Sequence, residues 1–179
     1  MNKQHKIKFV FTGSVGAGKT TAIQAISEVD TISTEAKPSE KSVVRRKPTT
    51  TVAMDYGELT IDGGQKISLY GTPGQRRFDF MCHILTEGAL GLIILVDNTH
   101  DNPMGELDYF LNLNAAFLQN SAAVIAVSHF DEANQPSIDD YYQVLEERGD
   151  PWPVIHVDAR NSDDVVMLLD TLLATLEYS

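Results

Sequence analysis

One stretch limits what this chain can fold into more than any other: Gly13-Ser14-Val15-Gly16-Ala17-Gly18-Lys19-Thr20. It satisfies the phosphate-binding pattern G-x-x-x-x-G-K-[ST] at every fixed position. Glycines in such a loop let backbone N–H groups turn inward and a phosphate approach closely. Lys19 is placed to reach the β- and γ-phosphates, and Thr20 to offer its hydroxyl to Mg²⁺, with Thr21 beside it. The geometry needs a strand before the loop and a helix after it, whose N-terminal end adds positive potential to the anion site. Residues 7–12 (IKFVFT) read as that strand and 22–26 (AIQAI) as that helix.

The remainder of the chain agrees with this start. Residues 29–47 are rich in Ser, Thr, Lys and Glu and lack apolar periodicity, which predicts a long loop. Residues 51–61 and 66–70 flank Asp62-Gly63-Gly64 and predict an antiparallel hairpin. Gly71-Thr72-Pro73-Gly74-Gln75 ends the second strand, and a short helix is expected over 79–87. Residues 90–96 (LGLIILV) and 122–127 (AAVIAV) are near-continuous apolar runs, the pattern of parallel strands buried on both faces. Residues 104–119 carry apolar side chains at helical spacing. Ser137 with Asp140 predicts a capping box opening another helix. Residues 153–157 predict a last strand, and Ser162-Asp163-Asp164 opens a final helix with leucines on one face. Strands alternating with helices after one hairpin give an α/β P-loop NTPase fold. The expected sheet is mixed and six-stranded, five strands parallel and one antiparallel, with helices on both faces, in a single domain over 1–179. Ligands in such sheets lie at the carboxyl ends of the strands, where all the motif loops meet.

Composition narrows the function. A net charge of −11 argues against a general nucleic-acid binder and a polybasic membrane anchor. No apolar run reaches membrane length, and neither a signal peptide nor a lipidation motif is evident. The single Cys82 excludes an internal disulfide and reads as a packing residue; a cytoplasmic protein is expected.

The later loops address which nucleotide binds. Ser128-His129-Phe130-Asp131 follows a buried strand. A carboxylate there can accept from the N1–H and 2-amino groups of guanine, a pair of donors that adenine lacks, so adenine would leave it unpaired. Asp158-Ala159-Arg160 follows the last strand, and the Ala159 N–H is a candidate donor to the guanine O6.

The order of these motifs resembles the Ras-like small GTPases over essentially the whole chain. Thr49-Thr50-Thr51-Val52-Ala53-Met54-Asp55-Tyr56-Gly57 and Leu69-Tyr70-Gly71-Thr72-Pro73-Gly74-Gln75-Arg76-Arg77-Phe78 resemble more narrowly the bacterial branch of MglA-like and conservon-operon GTPases. The resemblance implies GTP and GDP as ligands with Mg²⁺ on Thr20 and Thr51 (Thr50 being the alternative). It also implies Gly74 at the γ-phosphate, Gln75 orienting the attacking water, and switch loops at about 30–51 and 71–80. A Roadblock-type protein is implied as activator or effector. Three departures stand out. His129 replaces the usual lysine of N-K-x-D and is a candidate to stack on the base. Gly71 replaces the aspartate of D-x-x-G that holds a Mg²⁺-bound water, which weakens the metal site or moves the task to another carboxylate, Asp55 being a candidate. Pro73 precedes Gly74 and limits how that segment moves. Arg45, Arg46, Arg76 and Arg77 are candidate cations for the γ-phosphate, Arg46 first among them. The primary expectation is a GTP-hydrolysing switch, slow without a partner. The alternatives are a pseudo-GTPase scaffold with little hydrolysis and a small-molecule P-loop kinase.

Overall fold

A computed structural model of the chain describes residues 7–33, 54–61 and 63–177. The expected α/β architecture is present. The strands are β1 (Ile7–Gly13), β2 (Ile32–Ser33), β3 (Asp55–Ile61), β4 (Gln65–Gly71), β5 (Gly91–Asp97), β6 (Ala122–Ser128) and β7 (Val154–His156). They form one sheet in the order β2-β3-β4-β1-β5-β6-β7. Five strands, β4, β1, β5, β6 and β7, run parallel, and β3 pairs antiparallel with β4. The two-residue β2 adds an antiparallel fringe at the β3 edge.

Why β5 and β6 are interior strands rather than edges follows from their composition. Leu92, Ile93, Ile94, Leu95 and Val96 are all essentially inaccessible, as is every residue of β6. A strand buried on both faces cannot alternate polar with apolar, and neither does. Each large aliphatic side chain so buried contributes about 1.5–3 kcal/mol of transfer free energy.

The helices are α1 (Lys19–Ile26), α2 (Phe80–Thr86), α3 (Pro103–Leu113), α4 (Ala115–Leu118), α5 (Ile138–Arg148) and α6 (Ser162–Glu177). α1 and α6 pack against each other and against the sheet, while α2 and α3 contact β1 from elsewhere. Arg148 of α5 ion-pairs with Asp108 of α3. The expected helix over 104–119 is two pieces. Asn114, only 2% exposed, turns its side-chain amide onto the Phe110 carbonyl at 2.8 Å. That local bond competes with continuation of the helix. The short helix expected at 79–87 is α2, flanked by Asp79 and Glu87 and preceded by a 3₁₀ turn at Arg76–Phe78. Ser137 and Asp140 form the predicted capping box of α5. Gly63 and Gly64, both at positive φ, turn the β3–β4 hairpin.

Among the described residues no helix is long and apolar enough to cross a membrane. Cys82 is 1% exposed, and burial pushes its thiol pKa up, as suits a packing residue rather than a nucleophile.

Candidate nucleotide site

The phosphate loop runs from the end of β1 into α1. Gly13 has φ 144°, and a Cβ there would fall 2.2 Å from the Leu95 carbonyl oxygen. No other residue fits between the loop and β5. Gly18 caps α1 in the left-handed region, and no side chain caps the helix. The N-terminal end of α1 therefore opens onto the loop, and its positive potential favours an anion there. Ser14 Oγ is buried in the cradle without a hydrogen-bond partner. Lys19 is 7% exposed and donates to the carbonyls of Gly13 at 2.7 Å and Ser14 at 2.6 Å. Its ammonium group is thus stored on the loop that a phosphate would occupy. Val15 and Gly16 form the exposed crown, and Ala17 is buried beneath it.

Thr20 and Asp55 meet at the floor of this cradle. The Thr20 hydroxyl donates to Asp55 Oδ2 at 2.5 Å, and Asp55 is 7% exposed. Asp55 stands directly opposite Gly71 in the β3–β4 ladder. A Cβ on Gly71 would lie 3.1 Å from Asp55 Cβ and from Asp55 Oδ2. A side chain at 71 and the Asp55 carboxylate therefore compete for one space. Asp55 fills it. A hydroxyl and a carboxylate are hard oxygen donors that suit Mg²⁺, which takes few protein ligands and completes its shell with phosphate and water. Among the described residues no group of three or more His, Cys, Asp or Glu side chains could hold a metal ion.

The segment after β4 leans on the phosphate loop. A Cβ on Gly74 would come 2.4 Å from the Val15 nitrogen, so Gly74 touches the loop backbone. Gln75 is exposed at the start of the 3₁₀ turn. Arg76 does not face the phosphate cradle. It pairs with Glu106 at 3.3 Å and lies over the Tyr109 ring, 4.0 Å from its centroid. Arg77 lies over Phe78. Tyr109 donates to Asp79, and burial together with that bond pushes its pKa up to about 12. Thr50, Thr51, Arg45 and Arg46 lie outside the described residues.

A cavity of about 290 Å³ opens beside the phosphate loop. Its wall includes Gly16, Gly18, Thr21, Ser128, His129, Asp131, Asp158, Ala159 and Arg160, so the two late motifs and the phosphate loop line one space. Two direct contacts tie its ends together. Ser128 Oγ donates to the Ala17 carbonyl at 2.8 Å. A Cβ on Gly18 would lie 3.0 Å from Ala159 Cβ. Asp158 and Arg160 form a two-pronged ion pair at the rim, and that pairing pulls the Asp158 pKa down to about 2. His129 makes contacts of its own beside the cavity. It adopts φ 56°, and Nδ1 lies 3.2 Å from Asp97 Oδ1 and 3.1 Å from Ser128 Oγ.

Phe130 and His156, whose rings lie 5.5 Å apart, also line the cavity, and sequence reasoning had not marked either for the site. Their positions beside Asp131 and Asp158 were the available signal. Asn98, just past the apolar run of β5, was also missed; it is 2% exposed and bonded to the loop that follows β6.

Comparison with known proteins corrects the resemblance drawn from the motifs. A family model described as "conserved hypothetical ATP binding protein" matches residues 11–176. An "uncharacterized protein" of Methanocaldococcus jannaschii is 36% identical over 95 residues, 53% of this chain and 53% of that protein. The match thus spans about half the length of this curated relative. These matches overturn membership of the MglA-like branch, and the expectation of a Roadblock-type partner loses its basis with it. The error has a physical origin: Gly74-Gln75 and the phosphate loop answer to γ-phosphate chemistry shared across P-loop proteins, so they do not separate one branch from another. The chain belongs to the conserved hypothetical ATP-binding protein family, a nucleotide-binding P-loop family.

Proposed function

We propose that the protein binds a guanine nucleoside triphosphate with Mg²⁺ and hydrolyses its γ-phosphate, alternating between two states of the segment after β4. The observation that carries the reading is the shared cavity, which puts Asp131 and Ala159 beside the phosphate loop. Asp131 supplies a carboxylate for two guanine donors, and the Ala159 N–H is the candidate for O6. Lys19 leaves its two carbonyl partners for the β- and γ-phosphates. Thr20 and Asp55 would hold Mg²⁺, which would supply positive charge against that of the phosphates. Gly74, already against the loop backbone, offers its N–H to the γ-phosphate, and Gln75 beside it orients water. Thr51, by its place before β3, is the second hydroxyl proposed for Mg²⁺. Arg46 is the proposed cation for the transition state, since Arg76 is engaged by Glu106 and Tyr109.

The family's description favours a second reading, an adenine nucleotide in the same cavity. The carboxylate of Asp131 separates the two. Asp131→Asn is expected to lower GTP affinity about a hundredfold and to raise that for xanthosine triphosphate, whose 2-oxo group can accept from the new amide. Equal binding of both nucleotides by wild type and variant, with ATP bound tighter than either, establishes the adenine reading instead.

A further inference from the structure

Asp131 sits on a nine-residue span, 129–137, between the end of β6 and the start of α5. The near end is a tight turn in which the N–H groups of Glu132 and Ala133 both donate to the His129 carbonyl. The far end is held by the Ser137–Asp140 capping box. Between them, the carbonyls of Ala133 and Pro136 point inward, away from any strand partner. Both are met by one side chain. Asn98 Nδ2 donates to Ala133 O and, at 3.1 Å, to Pro136 O. Asn98 Oδ1 accepts from the Tyr141 hydroxyl of α5 at 2.7 Å. The Asn98 backbone N–H donates to the Ser128 carbonyl at 3.0 Å, so its own position is fixed by the end of β6.

The chemistry leaves little freedom at this position. Two inward carbonyls need two N–H donors on one short side chain, which asparagine supplies and aspartate, leucine and serine do not. The Tyr141 hydroxyl can donate to only one end of the amide, so it orients the NH₂ group toward the loop. Tyr141 is wholly buried and Asn98 is 2% exposed, so water cannot readily substitute. Fixing Ala133 O fixes the turn 129–133, and that turn presents Asp131 to the cavity.

We propose that Asn98, oriented by Tyr141, is a positioning residue for base recognition, holding the Asp131 carboxylate where it meets the N1–H and 2-amino groups of guanine. The inference rests on the guanine reading above. Its readout is the preference for guanosine over inosine diphosphate, because inosine lacks only the 2-amino group while sharing ribose and phosphates. In the full chain, Asn98→Leu and Tyr141→Phe are expected to reduce that preference about tenfold and about threefold, with affinity for inosine diphosphate falling by the smaller factor because inosine keeps the N1–H that Asp131 also meets. In an Asp131→Asn background neither substitution should reduce it further, since the group it positions is gone. Tyr141→Phe keeps the ring and its packing, so it tests the idea even if Asn98→Leu fails to fold.

Equal losses for both nucleotides would mean that Asn98 only supports the fold, and would overturn the proposal. So would an unchanged preference in both variants when Asp131→Asn abolishes it, which leaves the guanine reading standing. If wild type shows no preference, or Asp131→Asn does not alter it, the guanine reading fails and takes this inference with it.

Discussion

Gly71 and Asp55 offer the sharpest test of how the metal end of the site is built. Gly71→Asp places a carboxylate where many P-loop switches carry one. In this structure its Cβ would meet Asp55 Cβ, Asp55 Oδ2 and Ile23 Cδ1, each at 3.1 Å. Contacts that tight require a shift of a few tenths of an ångström, at about 1 kcal/mol for overpacking. The charge term is larger. Two carboxylates about 4 Å apart repel by about 4 kcal/mol at an effective dielectric of 20. Local relaxation and proton uptake relieve part of it, so a loss of about 2–4 kcal/mol at pH 7 is expected. With a urea slope of about 2 kcal/mol/M, the unfolding midpoint should fall by about 1–2 M.

The sign with pH is fixed as well. The introduced carboxyl should bind its proton more tightly in the folded chain than in the unfolded one. Its deficit is therefore smallest below about pH 4 and grows as pH rises. Urea unfolding at pH 4.5 and pH 7 measures both. The exchange Asp55→Gly with Gly71→Asp should recover most of the loss, since one carboxylate again occupies one space. A wild-type midpoint for Gly71→Asp at both pH values would refute the competition for space. A deficit independent of pH would refute the charge argument and leave only sterics.

Other consequences are open to measurement. Asp55→Ala removes the acceptor of the Thr20 hydroxyl, and the Mg²⁺ concentration for half-maximal hydrolysis should rise about tenfold; an unchanged titration would remove Asp55 from the metal site. Gly74→Ala forces a methyl group toward the Val15 nitrogen, where only 2.4 Å is available, and should lower both melting temperature and triphosphate affinity; retention of both would show that the contact is dispensable. Tyr109 holds its hydroxyl proton to about pH 12, so its contribution is intact below about pH 10 and lost as pH rises through 12. Tyr109→Phe should delete that late step from an ultraviolet titration, and a titration curve unaltered above pH 11 would contradict it. Lys19→Ala should weaken triphosphate binding about a hundredfold, as measured by equilibrium dialysis, while the protein stays folded.

The order of elements was legible because hydrophobic period and turn chemistry are local. The runs 90–96 and 122–127 are too apolar to form a sheet edge, and neither does. The phosphate loop was legible for the same reason, since Gly13, Gly18, Lys19 and Thr20 act within eight positions of each other. Within elements, reading was weaker where a side chain chose between partners. Asn114 broke an expected helix by bonding backward to Phe110. Family membership was misread because motifs for γ-phosphate chemistry are shared more widely than any one branch.

By itself, then, the sequence determined a phosphate-binding loop at the rim of a mostly parallel sheet, and named the loops that converge there. Tertiary structure decided the pairings across long separations. Asp55 meets Thr20 and faces Gly71 because β3 folds back on β4 in one register. Arg76 turns to Glu106 and Tyr109, and His129 to Asp97, because α3 and β5 bring those carboxylates within reach. Asn98 reaches two carbonyls in the loop past β6 because the parallel β5 and β6 end level with each other. Such contacts depend on distances between segments that chain order does not encode, and they set which polar groups are already satisfied before a nucleotide arrives.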